Sequence, residues 1–143
     1  MWAEDFSKEM WDSWRDASVS YSAFAKKMGV DVSELYVVDA LWDENDGLTQ
    51  KAICEVCDMG KQTVSAICKR LVMRDFVTSR PSESDKRERI IVLTSAGRDW
   101  WSPAVERSRE IETKAANAIP AEDADVFIRV VKQYVGVLRE EMR

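Results

Sequence analysis

The stretch Thr49 to Leu93, TQKAICEVCDMGKQTVSAICKRLVMRDFVTSRPSESDKRERIIVL, decides how the whole chain is read. Thr49 is a hydroxyl N-cap whose oxygen can accept an orphan backbone N–H. It opens a short helix to about Cys57, with Ala52, Ile53, Val56 and Cys57 facing inward. Asp58-Met59-Gly60 makes a tight corner, in which Gly60 supplies a cap conformation that a Cβ resists and Met59 turns inward to bridge two helices. A second helix, about Lys61 to Arg74, sets Val64, Ile67, Cys68 and Leu71 on one stripe of helical period. Its remaining faces carry Lys61, Gln62, Thr63, Ser65, Ala66, Lys69 and Arg70. Such amide, hydroxyl and cationic groups read base edges and grip phosphates in a major groove.

Phe76-Val77-Thr78-Ser79 then reads as a strand, and Arg89 to Leu93, with its β-branched run, as a second. Between them Arg80 to Glu88 forms a polar hairpin tip with no residue that wants burial. A helix-turn-helix followed by a hairpin is a winged helix. Four blocks in this order, Leu48-Thr49-Gln50-Lys51, Gln62-Thr63-Val64-Ser65, Asp85-Lys86-Arg87 and Val92-Leu93-Thr94-Ser95-Ala96-Gly97, resemble the MarR family of bacterial transcription regulators. Each block is weak alone, and the ordered set is specific. With the flanking helices the resemblance covers nearly the whole chain. Asp58 departs from the pattern, standing where a glycine or small polar residue is usual, and so does Gly60, where a Ser or Asp cap is common.

The flanking segments are helical. Trp2 to Met28 has no Pro or Gly and repeats large apolar groups, with Trp14, Tyr21 and Met28 on one seam and Trp2, Phe6, Met10 and Trp11 extending it. It reads as one long helix, or two with a slight break, ended by Gly29 in a left-handed conformation. So aromatic a helix has more apolar surface than a monomer of this size easily hides, so part of it is expected to meet another chain. Asp31 or Ser33 caps the next helix, about Ser33 to Trp42, and Asp43 to Gly47 is a turn cluster. Thr94 or Ser95 caps a helix from about Ala96 to Ala118 that Pro103 should bend or split. Pro120 opens a last helix whose buried side is Val126, Phe127, Val130, Val131, Tyr134, Val137 and Leu138. The expected architecture is mainly α, six helices and a small β wing. It forms a single domain, with 31–95 as the DNA-binding region and 1–30 and 96–143 as dimerisation helices.

The bulk properties narrow the function. A chain of 143 residues with 45% apolar content can bury one real core. Without histidine there is no imidazole base, Ser-His triad or histidine metal site, and no nucleophile-base pair can be assembled, so an enzyme is not expected. Three cysteines, Cys54, Cys57 and Cys68, are too few for an all-thiolate zinc site and read as buried small hydrophobes in a reducing compartment. No apolar run is long enough to span a membrane and no leader is evident, so a cytoplasmic protein is expected. The net charge of −5 conceals an asymmetry: residues 60–90 carry eight Lys and Arg against four Asp and Glu, and the rest carries thirteen against twenty-two. A basic stripe on an acidic body admits only one surface to a polyanion.

The resemblance adds roles. It implies that Gln62, Thr63 and Ser65 enter the major groove and that Lys69 and Arg70 contact phosphates, with Lys61 on the same face. It implies that Asp85 holds Arg87 for a minor groove, where a narrow A·T tract concentrates negative potential. Lys86, Arg80 and Arg89 would add backbone affinity. A two-fold homodimer would set its recognition helices in successive major grooves of double-stranded DNA, roughly 34 Å apart, on a pseudo-palindromic operator. Members of the family bind aromatic acids or phenols in a crevice near positions such as Trp14, Arg15 and Tyr36, so the expected activity is repression released by a small ligand, with no cofactor or metal. The alternatives are a regulator that senses oxidation through its thiols, and a protein-protein adaptor that has lost DNA.

Overall fold

The computed structural model describes residues 2–143. These form six helices and three short strands: α1 (Trp2–Met28), α2 (Val32–Leu41), β1 (Leu48–Thr49), α3 (Gln50–Cys57), α4 (Lys61–Met73), β2 (Val77–Pro81), β3 (Arg89–Leu93), α5 (Ser95–Asn117) and α6 (Ala121–Glu141). The mainly helical class with a small wing is as expected. Two compact units are distinguishable, one ending at Val105 and the other Glu106–Arg143.

The first unit is organised around α2. Leu35, Val37, Val38 and Leu41 are all buried, so this helix is enclosed on most of its circumference. Ile53 of α3, Val64, Ile67 and Leu71 of α4, Ile91 of β3 and Trp101 of α5 complete the core. Each such side chain contributes about 1.5–3 kcal/mol by leaving water. The predicted α4 stripe is therefore the buried one, and its polar faces are left outside.

Asp31 caps α2, its side chain accepting the Glu34 N–H at 2.9 Å, and Thr49 caps α3 by accepting from Ala52 N at 3.0 Å. The strand at Leu48–Thr49 was not anticipated. It pairs antiparallel with β3, Leu48 opposite Ile91 and Thr49 opposite Ile90, so the wing is a three-stranded sheet in the order β1-β3-β2. The approach depends on Gly47, at φ +79°, where a Cβ would fall 2.3 Å from the Ile91 carbonyl oxygen. The β3 bounds are as predicted, while β2 starts one residue later than expected and continues to Pro81. Within the tip Ser82 is buried, contrary to expectation, because its N–H bonds the Glu88 carbonyl at 2.8 Å and folds it beneath the turn.

Three helices of this unit end alike, with a residue in left-handed conformation followed by an N–H that reaches five residues back. Gly29 does so after α1 (Val30 N to Ala25 O, 2.9 Å), Asp58 after α3 (Met59 N to Cys54 O, 3.1 Å) and Asp75 after α4 (Phe76 N to Leu71 O, 3.0 Å). Gly60 was expected to take the special conformation at the corner. It is instead extended, at φ −67°, and caps α4 without a side-chain hydrogen bond, while Asp58 takes φ +49°. A carboxylate there is also at the negative end of the α3 dipole. Asp58→Gly is therefore expected to raise stability by about 0.5–1 kcal/mol, measured as a higher denaturation midpoint.

Val56, expected inward, is 66% exposed, since only Ile53 of α3 is fully enclosed. Pro103 does not split α5, which runs unbroken through it. The ring is exposed while Trp101, Ala104 and Val105 beside it are buried, and their packing outweighs the lost backbone bond. In α1, only Ala25 is buried, and Trp2, Trp11 and Val19 are exposed.

In the second unit α6 starts from Pro120 as its N-cap. The side expected to be buried is not: Val126, Phe127, Val130 and Val137 are exposed, with Phe127 at 53%. Amphipathic periodicity marks a face that avoids water without saying whether its own chain covers it.

Candidate nucleic-acid interface

The corner between α3 and α4 is closed by Met59, which packs on the core. It leaves Lys61, Gln62, Thr63, Lys69 and Arg70 exposed and Ser65 half-buried on the outer side of α4. These groups share one helix surface, as its periodicity predicts. They differ in freedom: Arg70 donates its Nε–H to Glu34 Oε1 at 3.0 Å, whereas no such bond ties Lys61 or Lys69.

The wing tip presents Arg87. Its side chain is 92% exposed yet oriented, because Asp85 Oδ1 accepts from both its backbone N–H (3.0 Å) and its Nε–H (3.2 Å), and Oδ2 accepts from Nη2 at 3.4 Å. The Arg87 side chain, and then its N–H, hold the Asp85 carboxyl below the usual carboxylate range. A lowered value keeps the clamp intact above the ordinary carboxylate range and releases it only as pH falls through the lowered one. Lys86 and Arg80 are exposed beside it. Arg89 is more constrained, donating from Nε to Ser79 Oγ at 3.0 Å and from Nη2 to the Ser79 carbonyl at 2.7 Å across the β2-β3 ladder.

Between α3, the start of α4 and the wing lies a cleft of about 530 Å³ that includes Lys51, Lys61, Arg87 and Arg89 together with Glu55 and Glu88. Lys51 has no role in the sequence-based expectation, and the cleft brings it alongside the predicted cations. Sequence reasoning counts Arg74 in the basic stripe but does not find Glu34 or the pairing of the two. Their only sequence signal is an acid in the first turn of α2 and a base at the end of α4, too far apart in the chain to be paired by inspection.

Two of the three predicted ligand residues share a groove, and the third lies on α2. Trp14 and Arg15 share a shallow groove of about 280 Å³ with Trp11 and Ser18, and Arg15 is ion-paired to Asp12. Tyr36 lies against the Tyr21 ring, centroids 6.1 Å apart. The thiols are sheltered. Burial, then Asp39 and Cys54, raises Cys57, which donates to the Tyr36 carbonyl at 3.6 Å, and burial pushes Cys68 up to about 11. Both are protonated at neutral pH and so poor nucleophiles. Among the described residues no group of three or more Cys, Asp or Glu is arranged to hold a metal ion, and no helix is long and apolar enough to cross a membrane.

A helix-turn-helix with a three-stranded wing and cations exposed on both defines a winged-helix protein. Residues 28–88 match the model of the MarR family. Three solved structures share the fold across the chain. AbsC from Streptomyces coelicolor, a MarR family transcriptional regulator, is 15% identical with a TM-score of 0.76, covering 96% of this chain and 94% of its own. S. aureus MepR in a DNA complex is 16% identical with a TM-score of 0.76, at 93% and 97% coverage. CouR from Rhodococcus jostii RHA1, bound to p-coumaroyl-CoA, is 15% identical with a TM-score of 0.76, covering 92% of each chain. Comparison with curated protein sequences gives no match.

Proposed function

We propose that this chain is a cytoplasmic transcription regulator that binds double-stranded DNA as a homodimer, with no enzymatic step. The observation that carries the reading is the pairing of an exposed polar face on α4 with an exposed, clamped Arg87 on the wing, inside the basic segment of an otherwise acidic chain. Gln62, Thr63 and Ser65 read bases in the major groove; Lys61, Lys69, Arg70, Arg80, Lys86 and Arg89 hold phosphates; Arg87, set by Asp85, enters the minor groove. MepR in its DNA complex supports the polymer, as a protein of the same fold.

The exposed apolar faces of α1 and α6 support the homodimer, since each would lower its free energy by leaving water against a second copy. Two heads on a two-fold axis then require a pseudo-palindromic operator. Repression relieved by a small aromatic ligand is the accompanying regulation, by a preference of the ligand for a dimer with misplaced heads. CouR with p-coumaroyl-CoA supports the aromatic class. Trp14 and Arg15 are the contacts proposed on α1, and Tyr36 enters only if its ring leaves Tyr21. Sheltered Cys57 and Cys68 favour this over thiol sensing.

The test is a duplex titration at several salt concentrations. Affinity is expected to fall by about a thousandfold or more between 50 and 200 mM salt if six or more phosphates are contacted by the dimer. Absence of duplex binding at low salt would instead favour an adaptor.

A further inference from the structure

Glu34 is the one carboxylate among the described residues that is buried, at 6% exposure. It sits in the first turn of α2, where the positive end of the helix dipole favours it. Both oxygens face α4: Oε1 accepts from Arg70 Nε at 3.0 Å and Oε2 lies 3.8 Å from Arg74 Nη1. The two arginines are one helical turn apart, so one acid spans both. Their surroundings differ. The Arg74 guanidinium lies 4.6 Å from the centroids of the Phe76 and Trp100 rings, which are themselves stacked at 4.9 Å, and this fixes it as the neutralising partner. Arg70 is held through Nε, while its side chain stays 53% exposed.

We propose that Glu34 is a positioning residue for DNA contact: by holding Arg70 Nε it sets the two terminal amino groups of that side chain to meet a backbone phosphate. The assignment rests on the DNA-binding reading above. An arginine grips a phosphate through a planar fork, and its orientation decides whether two parallel bonds can form. A free arginine must lose its rotamer freedom on binding, whereas Glu34 imposes that order during folding. Stability alone gives little reason for the acid, because well-packed apolar residues usually serve a buried ion pair's place as well or better. Electrostatics alone predicts the opposite of the proposal, since removing a negative charge beside the α4 cations should tighten DNA binding.

The experiment is a double-mutant cycle on binding to a mixed-sequence duplex at low salt, with wild type, Glu34→Met, Arg70→Ala and the double variant. Each is also melted thermally. Arg70→Ala is expected to lose about tenfold in affinity and to flatten the salt dependence. Glu34→Met is expected to weaken binding similarly, and the double variant to be no more than about twofold weaker than Arg70→Ala. Glu34→Gln, which keeps an acceptor for Nε, should restore most of the affinity. Arg70→Lys, a surface change that keeps the charge but not the fork, should bind like Arg70→Ala even if Glu34→Met does not fold. Additive losses, tighter binding by Glu34→Met, or wild-type binding by Arg70→Lys would each overturn the assignment while leaving the DNA reading intact. Failure of the wild-type protein to bind any duplex would remove both.

Discussion

Arg87→Ala is expected to weaken duplex binding by about tenfold or more at fixed salt, with no change in melting temperature. The two parts have separate causes. Arg87 is almost wholly in solvent and its side chain is bonded to Asp85, itself at the exposed wing tip, so its removal leaves the core untouched. In the proposed homodimer two wings meet the duplex, so one substitution would remove two contacts from the complex, and the salt dependence should flatten with them. Asp85→Ala separates charge from orientation: Arg87 stays cationic but loses three hydrogen bonds that aim it, and a smaller loss is expected. A gel-shift titration with thermal melts decides the matter, and equal affinity of Arg87→Ala and wild type would remove the wing from the interface.

Gly97→Ala is expected to destabilise the fold by about 3 kcal/mol. Gly97 is buried in the first turn of α5, and a Cβ there would lie 2.1 Å from the Phe76 carbonyl oxygen and under 3 Å from Phe76 C and Cα. These are backbone atoms, which cannot swing aside as a side chain can. They also belong to a latch: Thr94 N donates to Phe76 O at 3.0 Å, Thr94 Oγ1 accepts from Gly97 N at 2.9 Å, and the same hydroxyl donates to the Asp75 carbonyl at 2.6 Å. A methyl group must pry α5 from the link between α4 and β2. Denaturant unfolding measures the loss, and a midpoint equal to wild type would show that the joint can relax.

The contrast between what the sequence reveals and what it hides follows the range of the interactions. The stripe of Val64, Ile67, Cys68 and Leu71 is legible because helical period is a local property, and β3 because Ile90, Ile91 and Val92 crowd into one β-branched run. Thr94 as the α5 cap is local too. The strand at Leu48–Thr49 is too short to show any alternation, and only its partner β3 makes it one. Asp58 escapes because Gly60, two residues on, is the default candidate for a left-handed turn. The bond from Arg70 to Glu34 joins residues 36 apart, and no pattern in either helix announces it. The polar face of α4 and the charged wing can be picked out by composition, but which of their cations are already engaged cannot.

The two-residue ladder at Leu48–Ile91 and Thr49–Ile90 ties the hairpin to the very residue that caps α3. Tip and helix thus share a root. Sliding one past the other must rupture cross-strand bonds at the buried Ile91, so tip and helix are coupled, and under the proposed DNA reading an operator whose groove separations differ within a half-site would not be matched by flexing the wing alone.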